Sequence, residues 1–266
     1  MTLFKVCRAT IAGVLVSSCF SAVCLGAAPE DQGADPDQAR IDRIRRALQG
    51  PQYPVDPSLR LRSVGSGFFV GKDGWILTNR HVVDTCKAVS IETPAGVKEK
   101  VTVAATSRRD DLALLRAPTP ARATAAFRER LAVIDEPVAV IGYPNRGRPT
   151  IRPQYLPGRA TLDPERLTRR FVFQADIRRG ASGGPVLDQS GAVVGVVFGA
   201  IDTPKVYEQT GKLVDDIAVA VTGKVAWAFL SRHGVSPRWA RTAERLGEED
   251  LLERARQFVA RVLCWR

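Results

Sequence analysis

Two histidines are the only imidazole bases in the 266-residue chain. His81 lies in the segment ILTNRHVV, directly after an apolar run, so we expect its side chain to be held at the end of a strand. His233 lies in SRHGV, where we expect a helix end and a surface position. An imidazole beside a hydroxyl can accept its proton and so activate the oxygen as a nucleophile. His81 is therefore the candidate general base.

A serine between glycines supplies the matching nucleophile. Ser182 stands in the segment RGASGGP, where glycine lets the backbone turn tightly and approach another molecule closely. Such a turn can point the backbone N–H groups of Gly180 and Ser182 at one spot beside the hydroxyl, where they would hold the oxyanion of a tetrahedral intermediate. The hairpin pattern that follows, PVLDQSGAVVGVVFG, makes this interpretation more specific than the glycines alone.

An acidic residue completes the set. Asp111 comes immediately before the apolar run LALL, where a carboxylate can be partly buried and can fix the tautomer of an imidazole. Asp110 is the alternative if the acid is displaced by one residue. The chain order His81, Asp111, Ser182 is one of three known orders of the same triad on unrelated folds.

Short apolar and β-branched runs separated by Gly, Pro and Asp turns must position these residues. This pattern of short runs and turns predicts an all-β barrel or sandwich. No GxGxxG or P-loop segment opens a helix, so the sequence gives no support to a nucleotide-binding α/β fold. The predicted strands are GSGFFV, GWILTN, AVSIET, KVTVAAT, LALLRA, EPVAVIGYP, RFVFQAD, the hairpin PVLDQSGAVVGVVFGAI, and DIAVAV.

Helical patterns replace the strands after Thr222. Residues 223–266 are predicted to be a C-terminal helical segment, because Leu251, Ala255, Phe258 and Val262 recur at helical spacing. Cys86 and Cys264 could be joined by a disulfide or remain two separate buried thiols, and the sequence leaves both open.

The first 28 residues have the pattern of a signal peptide, with Lys5 and Arg8 before an apolar run that ends in small residues. The alternative is a lipoprotein processing site, with a lipid anchor at Cys19. Residues 29–62 are polar and charged, which predicts a flexible lead-in.

The motifs resemble, in order, the blocks of trypsin-like serine peptidases of the bacterial HtrA (Deg) type. The matching segments are GSGFFV, GWILTNRHVV, DDLALL, VIGYP and GASGGPVLDQSGAVVGV, within residues 63–222. The resemblance implies a double β-barrel of the chymotrypsin-like fold, to which the pattern after Thr222 adds a C-terminal helical extension. It implies a triad of His81, Asp111 and Ser182, an oxyanion hole at Gly180 and Ser182, and no cofactor or metal. About 40 residues follow Thr222, so no PDZ domain is expected.

The same resemblance places the substrate. Val197, Phe198 and Gly199 match the strand along which a substrate backbone lies, and a small-to-medium apolar side chain is the default preference. Asp176 lies six residues before Ser182, the spacing of the acid that selects Arg or Lys in trypsins, whereas HtrA-type relatives often carry a structural Asp in this stretch.

The amino-acid composition limits the class of protein and the kinds of partner that the chain could bind. A hydrophobic content of 45% with 25% charged residues excludes a wholly disordered, collagen-like or coiled-coil chain. The net charge of +11 alone would suit a polyanion binder, but acidic residues are interspersed and no nucleic acid is expected. We expect an exported, periplasmic or secreted serine endopeptidase acting on protein or peptide substrates. The rival hypothesis is a catalytically silent, protease-like scaffold of the cell envelope, and the sequence leaves the oligomeric state open.

Overall fold

The computed structural model describes residues 37–38, 40–41, 53–145, 147, 150–161, 169–201, 216–241 and 244–266. The chain divides into two units, Met1–Pro51 and Gln52–Arg266. Of the first unit only four helical residues are described, so the predicted signal peptide (1–28) and Cys19 lie outside the described residues. The second unit carries all the predicted site residues.

Six antiparallel strands close into the first barrel of this unit. Their order around the barrel is β1-β14-β3-β4-β5-β2. The bounds are β1 Leu61–Gly71, β2 Trp75–Asn79, β3 Ala88–Glu92, β4 Lys98–Ser107, β5 Leu112–Arg116 and β14 Val259–Trp265. Apolar side chains fill its interior, and Phe68, Ile76, Leu77, Ile91 and Leu112 have no exposed surface. Burial of this size stabilises a fold by roughly 1.5–3 kcal/mol for each large apolar side chain.

A second sheet supplies the other barrel. Its order is β10-β7-β8-β9-β12-β11-β6-β13, and β10 also pairs with β11, which closes six of these strands into a ring. The bounds are β6 Ala126–Phe127, β7 Pro137–Gly142, β8 Gln154–Ala160, β9 Arg170–Gln174, β10 Pro185–Asp188, β11 Val193–Ala200, β12 Ile217–Thr222 and β13 Arg238–Trp239. The all-β, double-barrel prediction is confirmed.

Among the described residues of the second unit, three helices lie between the strands: α1 Arg80–Val83, α2 Gly223–Arg232 and α3 Glu248–Arg256. The hydroxyl of Thr222 caps α2 by accepting a hydrogen bond from the backbone N–H of Val225, as is typical of a helix start. No helix in the described part of the chain is long and apolar enough to span a bilayer.

The prediction of a C-terminal helical segment over residues 223–266 is right for α2 and α3 and wrong for the strands β13 and β14. Leu251 and Ala255 lie in α3, but the helix ends at Arg256, and Phe258 and Val262 are not helical. Instead β14 is inserted between β1 and β3, with all seven of its residues buried. A short continuous apolar run fits a buried strand and a helix equally well, and hydrogen bonding to two neighbouring strands decides the conformation here. The chain end therefore completes the first barrel.

The prediction of a flexible lead-in over residues 29–62 is also wrong for residues 53–62, the last of its stretches that the structure describes. Tyr53, Val55 and Leu59 pack against the first barrel. The Tyr53 ring lies 5.0 Å from that of Trp265, and its hydroxyl donates to the carboxylate of Glu92 at 2.8 Å. The apolar residues in this polar stretch are too sparse to form a periodic pattern, although they are sufficient to anchor it.

A disulfide joins Cys86 to Cys264. Their Cα atoms are 5.4 Å apart, within the ordinary range for such a bond. The bond connects the segment just after α1 to β14, and so holds the helix that carries His81 to the end of the chain.

Candidate active site

His81 is held by its backbone and its ring together. It lies in α1, the single helical turn that follows β2. The backbone N–H of His81 donates to one carboxylate oxygen of Asp111 at 3.0 Å, and ring atom Nδ1 lies 2.5 Å from the other oxygen. The side chain of His81 is 43% exposed and that of Asp111 only 10%. A buried carboxylate thus fixes the ring and leaves Nε2 as the nitrogen free to act as a base.

Asp111 reaches this position through an unusual backbone conformation. Its φ is +55°, a left-handed value that few residues other than glycine adopt. The carbonyl of Asp111 accepts hydrogen bonds from the backbone N–H of Arg80 at 2.9 Å and from the side-chain amide of Asn79 at 3.0 Å. These hydrogen bonds stabilise the strained backbone of Asp111. Backbone strain of this kind tends to occur at functional sites.

Asp110, the alternative acid, makes different contacts. Its carboxylate accepts a hydrogen bond from Nε of Arg169 at 2.9 Å and another from the hydroxyl of Ser107 at 3.2 Å. The structure therefore brings Asp111, and not Asp110, to His81.

The turn that carries Ser182 depends on its glycines. Gly180 and Gly183 have φ values of +97° and +84°. A Cβ atom on Gly183 would lie 2.3 Å from the carbonyl oxygen of Ser66 and 2.3 Å from the hydroxyl of Thr78. No side chain fits there, so the residue after Ser182 packs directly against strands of the first barrel, beside the end of β2 that leads into His81.

The two amides expected in the oxyanion hole have no other acceptor among the described residues. Their neighbours in the turn are engaged: the N–H of Ala181 donates to Arg178 at 3.1 Å and that of Gly183 donates to Val197 at 2.9 Å. The N–H groups of Gly180 and Ser182 make no such bond within the described chain. The turn therefore leaves these two donors available for a ligand oxygen.

The predicted link between Ser182 and His81 is not formed in this structure. No hydrogen bond between the described residues joins the hydroxyl of Ser182 to His81. Catalytic hydrogen bonds are often long in ligand-free enzymes and shorten when substrate binds. The site accordingly has a formed His–Asp pair and a separate nucleophile turn.

Sequence reasoning missed Ser66. Its hydroxyl, on the buried part of β1, donates to the carbonyl of Gly180 at 2.7 Å and accepts from the N–H of Tyr143 at 3.0 Å. Its own N–H donates to the carbonyl of Ser182 at 2.8 Å. One residue of the first barrel thus holds both residues of the predicted oxyanion hole in place. The available signal was a polar residue within the apolar run GSGFFV, where a buried hydroxyl needs partners.

The predicted substrate strand borders the site. The N–H and carbonyl of Val197 bond to Gly184 and Gly183 in the nucleophile turn, both at 2.9 Å. The Phe198 ring lies 6.0 Å from the His81 ring in an edge-on contact. A Cβ atom on Gly199 would meet nothing within 4 Å, so open space lies beside its backbone.

The other predicted residues lie nearer the surface. The carboxylate of Asp176 is 33% exposed and pairs with Nε of Arg178 at 2.5 Å. A basic substrate side chain would have to compete with this arginine of the chain itself. His233 caps the end of α2 against the ring of Phe229, 4.8 Å away.

The chain is similar to known serine proteases in sequence and fold. Residues 65–196 match the trypsin-like peptidase domain. The chain is 34% identical to the serine protease Rv3671c of Mycobacterium tuberculosis over 63% of this chain and 45% of that protein. It is 30% identical to the periplasmic pH-dependent serine endoprotease DegQ of Escherichia coli over 62% of this chain and 37% of DegQ. The solved structure of the Rv3671c protease in its inactive form has a TM-score of 0.52 and 27% identity, covering 76% of this chain and 98% of that one.

The two barrels form the chymotrypsin-like fold, and the matched residues 65–196 lie within it as a trypsin-like peptidase domain. Beyond this domain, the chain is similar to serine proteases of the bacterial HtrA type, DegQ among them. It spans less than half the length of the curated relatives that it matches.

Proposed function

We propose that the protein is a serine endopeptidase that hydrolyses peptide bonds through an acyl-enzyme intermediate. His81 takes the proton from the hydroxyl of Ser182 as the oxygen attacks the substrate carbonyl. Asp111 keeps the ring in the required tautomer and stabilises the imidazolium that forms. The N–H groups of Gly180 and Ser182 stabilise the oxyanion, and one such donor is worth roughly 10²–10³ in rate.

The second half of the reaction returns the enzyme to its starting state. The imidazolium gives its proton to the leaving amine as the peptide C–N bond breaks and the acyl-serine ester remains. His81 then removes a proton from water, which attacks the ester, and the hydroxyl of Ser182 regains a proton as the acid is released. The proton first taken from Ser182 leaves with the amine and a proton from water replaces it, so the enzyme is regenerated and the net reaction is hydrolysis.

The observation that carries this proposal is the double hold of Asp111 on His81. One carboxylate oxygen bonds the backbone at 3.0 Å and the other lies 2.5 Å from Nδ1, across 30 residues of sequence. A scaffold that only binds has no need of an imidazole oriented in this way.

A further part of the proposal concerns where the protein acts. The name of DegQ as a periplasmic endoprotease supports the proposal that this chain is exported. It would then act on proteins in the periplasm or outside the cell, for example in protein quality control.

The open gap between Ser182 and His81 favours the second candidate, a catalytically silent, protease-like scaffold. Hydrolysis of unfolded casein separates the two. The purified protein should release peptides, whereas Ser182→Ala, which keeps the fold, should release none. A folded wild type that binds casein without cutting it would refute the peptidase and support the scaffold.

A further inference from the structure

A free strand edge lies beside the catalytic residues. Residues 198–200 of β11 pair with β12 on one side, and within the described chain no strand pairs with their other side. A β-bulge falls at Phe198, since Val197 opposes Ala220 and Gly199 opposes Val219. An extended peptide can add to such an edge by main-chain hydrogen bonds.

Arg170 covers the aromatic side chain on this edge. Its guanidinium carbon lies 4.1 Å from the centre of the Phe198 ring, in cation–π geometry. The same ring touches His81, so Arg170 is one side chain away from the general base. A substrate lying along β11 therefore passes this cation.

The charge of Arg170 is not neutralised in the described part of the chain. The neighbouring Arg169 is paired with Asp110, but no carboxylate of the described residues pairs with Arg170. Other cleft cations, Arg80 and Arg178, have Asp84 and Asp176 as partners. A guanidinium stacked on a ring keeps its N–H groups at its edge, where they can bind a carboxylate in bidentate fashion.

We infer that Arg170, supported by Phe198, forms a subsite for an acidic substrate side chain. Side chains of an extended peptide alternate between two faces, so the second and fourth residues before the scissile bond share a face. We assign the acidic side chain to that face, at the second or fourth position, and leave the third position on the opposite face. This inference rests on the proposed function, because it takes Ser182 as the point that fixes the register.

Binding of product-like peptides to the Ser182→Ala protein tests the subsite without turnover. Each fluorescent pentapeptide ends in Val or Arg and carries Glu at the second, third or fourth residue from its C-terminus. Matched peptides carry Gln at the same place. We expect Glu at the second or fourth position to lower Kd about 3- to 10-fold relative to Gln, the scale of a half-exposed charge-assisted contact. Glu at the third position should give a ratio near one.

The Arg170→Gln change, made in the same Ser182→Ala background, should bring the Glu:Gln ratio to about one. Arg152→Gln is the matched control, because it removes an equal charge from an exposed arginine that lines a different cleft, on the first barrel. A preference that survives Arg170→Gln, that is lost equally with Arg152→Gln, or that appears only at the third position would overturn the inference. Casein hydrolysis by the wild type is read separately, so failure of the peptidase and failure of the subsite give different results.

Discussion

Opening the disulfide between Cys86 and Cys264 should cost the protein much of its stability. The bond closes a loop with a sequence separation of 178 residues. In the chain-entropy account, a crosslink over that length lowers the entropy of the unfolded chain enough to be worth about 5 kcal/mol at 25 °C. Typical domains have a free energy of unfolding of only about 5–15 kcal/mol, so the loss should be large.

The native fold should survive the loss of the bond. β14 stays paired along its whole length with β1 and over Arg261–Trp265 with β3, and these ladders do not depend on the disulfide. We therefore expect reduction to act mainly on the unfolded state. Since native strain and residual unfolded structure usually diminish the effect, the measured loss should be about 3–5 kcal/mol.

Urea unfolding of three samples measures this loss: the oxidised protein, the same protein in reductant, and the double variant Cys86→Ala/Cys264→Ala. The reduced protein controls for the small cavity that alanine leaves at buried Cys264. Both perturbed samples should unfold at lower urea with a similar slope. If each lost less than about 1 kcal/mol, the assignment of the crosslink as a major constraint on the unfolded chain would be refuted.

Three further predictions follow from the contacts of single residues. Asp111→Asn should lower kcat about 10⁴-fold, because the amide favours the wrong tautomer of His81. Asp110→Asn should keep most of the wild-type kcat. Steady-state kinetics on one peptide compares the two variants, and equal losses of kcat would contradict the assignment of Asp111 as the partner of His81. Ser66→Ala should lower kcat roughly 10-fold or more with little change in KM. The carbonyl of Gly180 and the N–H of Tyr143 would lose their hydrogen-bond partner, so the turn that carries Gly180 and Ser182 would be held less firmly. An unchanged kcat would show that Ser66 does not position this turn. Burial raises the pKa of Tyr53 to about 12 from its ordinary value of about 10, and the hydrogen bond to Glu92 acts in the same direction. The stability that the protonated Tyr53 contributes is therefore complete below pH 10 and is lost as the pH rises to 12. The free energy of unfolding should therefore fall more steeply over that range in the wild type than in Tyr53→Phe, and parallel curves would contradict this.

Much of the fold could be predicted because most strands show clear local signals. Runs such as GWILTN and LALLRA are short, β-branched or apolar, and bounded by turn residues. β8 was missed because its sequence, QYLPGRA, contains Pro157 and Gly158, which normally argue against a strand. β14 was misassigned because its apolar residues also fit helical spacing, and only the two neighbouring strands decide its conformation.

Part of the candidate site could likewise be predicted from the sequence, and part depends on contacts that only the fold creates. The types and order of His81, Asp111 and Ser182 can be read from motifs, because the chemistry dictates them. The choice of Asp111 over Asp110 depends on a left-handed backbone and on the partners of each carboxylate, which adjacent positions in a sequence do not reveal. The roles of Ser66 and Arg170 depend on contacts between distant strands. The polar Ser66 within an apolar run signals only that its hydroxyl needs a partner, and not which residue that partner is.

Covalent labelling of Ser182 tests the central claim most directly. The purified protein is treated with a fluorophosphonate, which reacts with an activated serine, and the labelled peptide is identified by mass spectrometry. The account predicts one adduct, on Ser182, that is absent from Ser182→Ala and strongly reduced in Asp111→Asn. A folded protein that takes no label, or takes it equally after Ser182→Ala, would contradict it.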